Sequence, residues 1–149
     1  MRKTLEEIQI KSIIPASTGV AVFLGTKAKN LMVFVDPIMG QQILFAYQQK
    51  TTTRPLTFDL LHNILDGFQI FVKCIAIVDV KENIFFARII LEQKSSKHIQ
   101  LVEVDARPSD ALLLALTTQK PIYIEKSLLD KLPDIPTANT KTQDHDTYS

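Results

Sequence analysis

The run Ala111-Leu112-Leu113-Leu114-Ala115-Leu116 is apolar at every position, and it follows Pro108-Ser109-Asp110. Proline in a first turn with an acid close behind is a helix-start signal, and Pro121 stops the segment. A helix that is apolar all round has no face to give to water, so it must be enclosed. The rest of the chain therefore has to wrap it. With 149 residues and 46% apolar side chains, the chain has enough material for one enclosed core.

Most of that wrapping material reads as β structure. Leu5 to Ile14 is a strand that stops at Pro15, and Val20 to Leu24 with Leu31 to Val35 reads as a hairpin around a polar turn. Ile70 to Val80, Ile84 to Leu91 and His98 to Val104 follow as three further strands, and Ile122 to Ile124 as a short one. Asp36-Pro37 opens a helix to about Gln49, with Met39, Ile43, Ala46 and Tyr47 on one face and Gly40 weakening it. Thr57 is the expected cap of another helix, whose stripe Leu60, Leu61, Ile64, Leu65 and Phe68 should pack on the core and which Gly67 ends. Leu128 to Leu132 gives a last turn. This pattern implies an α+β fold in one domain, a mainly antiparallel sheet packed with about three longer helices. The domain should occupy residues 1–132. Residues 133–149, rich in Thr, Asp and Pro, read as a disordered polar tail.

Composition narrows the function. One cysteine, Cys74, excludes an internal disulfide and any multi-Cys zinc site. It lies in an apolar run, as a buried structural thiol would, and points to a reducing compartment. The first residues have no apolar segment behind Arg2-Lys3, so no signal peptide is read. No apolar run approaches the ~20 residues of a membrane span, and the expected setting is cytoplasmic with no membrane partner. The net charge is +1, which excludes a protein that coats nucleic acid by bulk charge. The tail from Pro133 carries Asp134, Asp144 and Asp146 against Lys141, so taking it away leaves the rest at +3. Phosphate recognition must then be concentrated in a few side chains.

Two stretches offer such side chains. Arg54-Pro55 precedes Asp59-Leu60-Leu61, and Arg107-Pro108 precedes Asp110-Ala111-Leu112. An acid near a helix start suits the macrodipole, whereas an arginine there needs a partner. Arg54 could meet Asp110, and Arg107 could meet Asp59 or Asp105, locking two helix starts together. Alternatively both arginines bind an anion beside the free N–H groups of the helix starts. Asp105, Asp110 and Asp59 could instead hold Mg²⁺ or Mn²⁺, as carboxylates do in phosphodiester hydrolysis. The histidines add little: His62 falls on the polar side of its helix, His98 opens a strand and His145 lies in the tail. Phe85 and Phe86 should point to opposite sheet faces, one into the core and the other toward a base or a second subunit.

Arg54-Pro55-Leu56-Thr57-Phe58-Asp59-Leu60-Leu61, followed by Val104-Asp105-Ala106-Arg107-Pro108-Ser109-Asp110-Ala111, resembles the bifunctional nuclease domain family. Phe86-Ala87-Arg88-Ile89 and Lys120-Pro121-Ile122-Tyr123-Ile124 fit the same pattern, and the likeness covers roughly residues 5 to 130. The resemblance implies a compact α+β domain that self-associates as a homo-oligomer and degrades RNA and DNA. It carries over Arg54, Thr57, Asp59, Asp105, Arg107, Ser109 and Asp110. In that reading Asp105, Arg107, Asp110 and Asp59 are catalytic. Arg54, Arg107, Thr57 and Ser109 bind phosphate, and Asp105 with Asp110 can hold a divalent metal. Two positions depart from the family's usual pattern: Phe58 stands where the family has His, and Met39-Gly40-Gln41-Gln42-Ile43 lacks the Glu-Ala pair of the preceding helix. The rival expectation is a non-catalytic oligomeric binding or regulatory module in which the Arg-Pro-Asp motifs are structural.

Overall fold

The computed structural model of the chain describes residues 3–136. Within them seven strands form one sheet: β1 (Leu5–Ala16), β2 (Gly19–Gly25), β3 (Asn30–Val35), β4 (Ile70–Lys81), β5 (Ile84–Lys94), β6 (Ile99–Ala106) and β7 (Ile122–Glu125). The helices are α1 (Pro37–Tyr47), α2 (Thr57–Gly67), α3 (Pro108–Thr118) and α4 (Lys126–Lys131). The expected α+β architecture is the one observed.

The strands lie in the order β3-β2-β1-β7-β4-β5-β6, and every pair is antiparallel except β4 with β7. Strand β1 serves two neighbours: Leu5 to Ile8 pair with β7, and Gln9 to Ala16 pair with β2 across a bulge between Ile10 and Ser12. A bulge bends and twists a strand. β1 also runs on through Pro15, which is paired opposite Val20, rather than stopping there. The β4–β5 turn places Glu82 and Asn83 at positive φ, 51° and 63°. That is the two-residue geometry whose twist matches a hairpin.

The apolar helix is enclosed as its sequence demands. Ala111, Leu112, Leu113, Leu114 and Ala115 are all buried, and Ala111, Leu112, Leu113 and Ala115 share one core with Val22, Leu24, Ile43, Ile75, Ile77 and Ile124. α1 and α3 pack on each other and on the sheet. Gly40 has a packing reason: a Cβ there would lie 2.3 Å from Val20 Cγ2, so only glycine lets α1 approach β2 this closely. α4 lines the other sheet face, in a cavity of about 1080 Å³ with Ala76 and Arg88.

Three local expectations are corrected. Thr57 is the first residue of α2 rather than its cap; Leu56 holds the cap position, and its N–H donates to Asp59 Oδ2 at 2.8 Å. The stripe of α2 does not pack on the core: Leu60, Leu61, Ile64 and Phe68 are exposed, while Phe58, His62 and Leu65 are half-buried. His62 is thus on the inner side. The start of the tail is ordered by β3: Ile135 N–H donates to Asn30 O at 3.2 Å and Asn30 N–H to Asp134 Oδ1 at 2.9 Å. The remainder of the tail, with His145, lies outside the described residues.

Candidate functional site

Two consequences of the fold bring the second Arg-Pro motif to a cleft. β6 delivers Asp105 at its end, and α3 begins at once, so Arg107 becomes the N-cap residue of α3. Meanwhile the sheet bends enough that β3, at its opposite edge, faces the tip of the β4–β5 hairpin. Phe34 and Asp36 therefore line one cavity of about 750 Å³ with Ile84, Phe86, Asp105 and Arg107. That volume lies in the range of small-molecule clefts.

Arg107 lines this cleft and is held by the acid of its own helix. Its Nε donates to Asp110 Oδ2 at 2.7 Å and its Nη2 to Asp110 Oδ1 at 2.9 Å. The Arg107 side chain stays two-thirds exposed, at 67%. The Asp110 carboxylate holds the Arg107 pKa above its usual value, first through this hydrogen bond and then through its charge, and Asp36 adds to the effect through space. A guanidinium is a flat group with donors on more than one edge. Engaging Nε and one side of Nη2 fixes its plane and leaves Nη1 without a hydrogen-bond partner among the described residues.

Of the other motif residues, Asp105 and Ser109 share this cleft, whereas Asp59 and Arg54 lie apart from it. Asp105 is exposed and lies opposite Arg88 in the β5–β6 register, with Oδ1 3.7 Å from Arg88 Nη1. Ser109 is almost wholly buried at the back of the cleft. Asp59 caps its own helix and lines a different cavity of about 340 Å³ with Leu113 and Thr117, further along α3. Arg54 stands exposed in the segment before α2, and among the described residues it has no carboxylate within 4 Å. Neither cross-pairing of the motifs forms; Arg107 takes the acid of its own helix.

Phe58, at the position where the resemblance would place histidine, packs against the core. Phe85 packs there too, while Phe86 is exposed on the cleft wall. Phe34 and Asp36 are the cleft residues that sequence reasoning missed. Asp36 was legible only as a helix cap, and it is one: Oδ1 accepts from Ile38 N–H and Met39 N–H, both at 3.0 Å. Its place beside Arg107 follows from the bend of the sheet, which no local spacing announces. Among the described residues no three His, Cys, Asp or Glu side chains converge to form a metal site. No helix among them is long and apolar enough to cross a membrane.

The sequence of this chain matches the model of the bifunctional nuclease domain over residues 22–134. It is also 36% identical over 101 residues to the uncharacterized proteins MT1877 and Rv1829, from two strains of Mycobacterium tuberculosis. The match covers 68% of this chain and 57% of each relative, so it spans little more than half their length.

Proposed function

Because the chain belongs to the bifunctional nuclease domain family, we propose that the Arg107 cleft binds nucleic acid and hydrolyses its phosphodiester bonds. The observation that carries this reading is the posture of Arg107: exposed, fixed in plane by Asp110, and lining a cleft with phenylalanines on its walls. The unpaired Nη1 edge meets a phosphodiester oxygen with a fork-like donor set and offsets charge as it grows on the phosphoryl group. Phe34 and Phe86 give flanking bases a surface to stack on, an interaction that tolerates any base and serves RNA and DNA alike. In this reading Asp105, which lines the same cleft, takes the proton of an attacking water. The water oxygen bonds to phosphorus as the bond to the leaving oxygen breaks, and that oxygen is protonated from solvent. The cleft carboxylates do not gather into a three-donor set, and the fixed positive charge in the cleft is that of Arg107.

One set of contacts favours a second reading, a nucleic-acid-binding module without hydrolysis. Asp59 and Asp110 already hold hydrogen bonds that cap or position their own helices. Incubation of end-labelled single-stranded RNA and DNA with the protein, in Mg²⁺, Mn²⁺ or EDTA, separates the two. Hydrolysis requires cleavage that Arg107→Ala abolishes. Binding without cleavage, lost in the same variant, supports the module. Cleavage that persists in Arg107→Ala would place the activity elsewhere.

A further inference from the structure

The sheet face turned toward α4 carries a second cationic hollow. Its cavity of about 1080 Å³ is lined by Ala76 and Ile90 of the sheet and by Leu128 and Lys131 of α4. Arg88 stands in this cavity with its side chain 42% exposed. Among the described residues its one carboxylate contact is Asp105 Oδ1 at 3.7 Å, beyond hydrogen-bond range. A half-buried guanidinium with no hydrogen-bonded acid keeps its donors open to another anion.

This cavity and the Arg107 cleft meet. Val80, Phe86, Asp105 and Leu132 line both. Phe86 and Arg88 are two apart on β5 and so share a sheet face. Asp105 is the partner of Arg88 across β5 and β6, and Arg107 follows Asp105 by two residues. The Cα atoms of the two arginines are therefore within about 13 Å of each other. Phe86 lies on the divide between the two hollows, and Lys81 Nζ is 5.6 Å from the centre of its ring. Lys131 adds a positive charge to the α4 wall, and among the described residues no carboxylate lies within 4 Å of it.

A nucleotide inside a strand has a phosphate on each side of its base. We propose that one base stacks on Phe86 while the two phosphates flanking its nucleotide go one to Arg107 and the other to Arg88. The recognised unit is then an internal nucleotide with two consecutive phosphodiesters, rather than a mononucleotide or a strand end. The acids of the Arg88 cavity set where this track stops. Glu125 stands beside Lys3 at 3.1 Å, Asp79 beside Lys81 at 3.9 Å and Asp105 beside Arg88. Glu103 has no cation within 4 Å among the described residues, and it lies two residues from Asp105 on the same side of β6. Its charge repels a further phosphate beyond Arg88. The proposal rests on the phosphate contact of Arg107 and adds the second contact and the length of strand it requires.

Thymidine oligomers with one and two phosphodiesters, TpT and TpTpT, test it by competition against a longer fluorescent oligothymidylate in EDTA. TpTpT offers a one-phosphate contact twice, which alone gives a gain of about twofold over TpT. Two phosphates held together should give a gain of about tenfold or more. Arg88→Ala should return the gain to about twofold while TpT keeps its wild-type affinity, and Arg88→Lys should recover part of the gain. If Arg88→Ala misfolds, Arg88→Gln, which keeps most of the length and removes the charge, takes its place with the same expectation. A wild-type gain of only about twofold, a gain that survives loss of the Arg88 charge, or a loss that falls equally on TpT would each overturn this inference and leave the Arg107 contact standing. A wild type that binds neither the oligomers nor the longer strand would overturn both.

Discussion

Arg107 and Asp110 stand on either side of the first turn of α3 and meet through two parallel hydrogen bonds, 2.7 and 2.9 Å long. The pair does two jobs at once. It gives the arginine at the positive end of a helix the anion it needs, and it fixes the guanidinium plane without burying it.

Exposed ion pairs contribute little to folding stability, so the value of this one should lie in positioning. Asp110→Asn, which keeps the shape and removes the charge, should lower the melting temperature by no more than about 3 °C. Its affinity for single-stranded oligonucleotides should fall several-fold, measured by fluorescence anisotropy. Arg107→Lys should behave similarly, because an ammonium cannot fork.

Binding by one exposed arginine implies a shallow salt dependence. Each phosphate neutralised on a single strand contributes about −0.7 to the slope of log affinity against log salt. A titration from low to moderate NaCl should therefore give a slope between about −0.7 and −2. Arg54→Ala should leave it unchanged, since Arg54 does not line the Arg107 cleft.

Asp59 acts on stability rather than on the cleft. Asp59→Ala removes the acceptor for Leu56 N–H and should cost about 1 kcal/mol, lowering the melting temperature by about 2–4 °C. Oligonucleotide affinity should stay at the wild-type level.

Gly40→Ala sets two effects against each other. Alanine favours a helix interior over glycine by roughly 1 kcal/mol, but its methyl group would overlap Val20 Cγ2. Overpacking of that kind costs about 1–3 kcal/mol. The variant should melt below the wild type in a thermal scan despite its better helix propensity.

Cys74 should be a slow nucleophile. Burial raises its thiol pKa, with Lys73 offsetting only part of the effect. At pH 8 the thiolate fraction is then below that of an open cysteine, and alkylation by iodoacetamide should be at least several-fold slower than in urea. The sign for stability follows: the folded chain keeps the thiol proton to higher pH than the unfolded one. The stabilisation from that group is complete below the unfolded thiol pKa and declines as pH rises from there through the folded value.

The sequence exposes some of this and hides the rest for physical reasons. Ala111 to Leu116 could only be enclosed: Ala111 to Ala115 are buried and Leu116 is half-buried against the core. Asp36 with Pro37 could only start a helix, and they do. α2 is ambiguous in sequence because it carries two apolar faces. The denser one, from Leu60 to Phe68, looks like a core stripe, yet Phe58 and Leu65 are the residues that pack inward. Periodicity finds a face but cannot say which neighbour covers it. The Arg107–Asp110 pair lay within reach of sequence reasoning, since residues three apart at a helix start are neighbours. The cleft was not, because Phe34 and Asp36 come from the opposite sheet edge and only the bend of the sheet brings them near Arg107.

The central claim is that Arg107, in this cleft, acts on the phosphodiester backbone. Single-turnover cleavage of an end-labelled single-stranded RNA, by wild type beside Arg107→Ala and Arg54→Ala at equal fold stability, tests it most directly. The account predicts cleavage by the wild type and by Arg54→Ala, and a loss of at least a hundredfold in Arg107→Ala. Equal cleavage by wild type and Arg107→Ala, or a wild type that neither cleaves nor binds the strand, would contradict it.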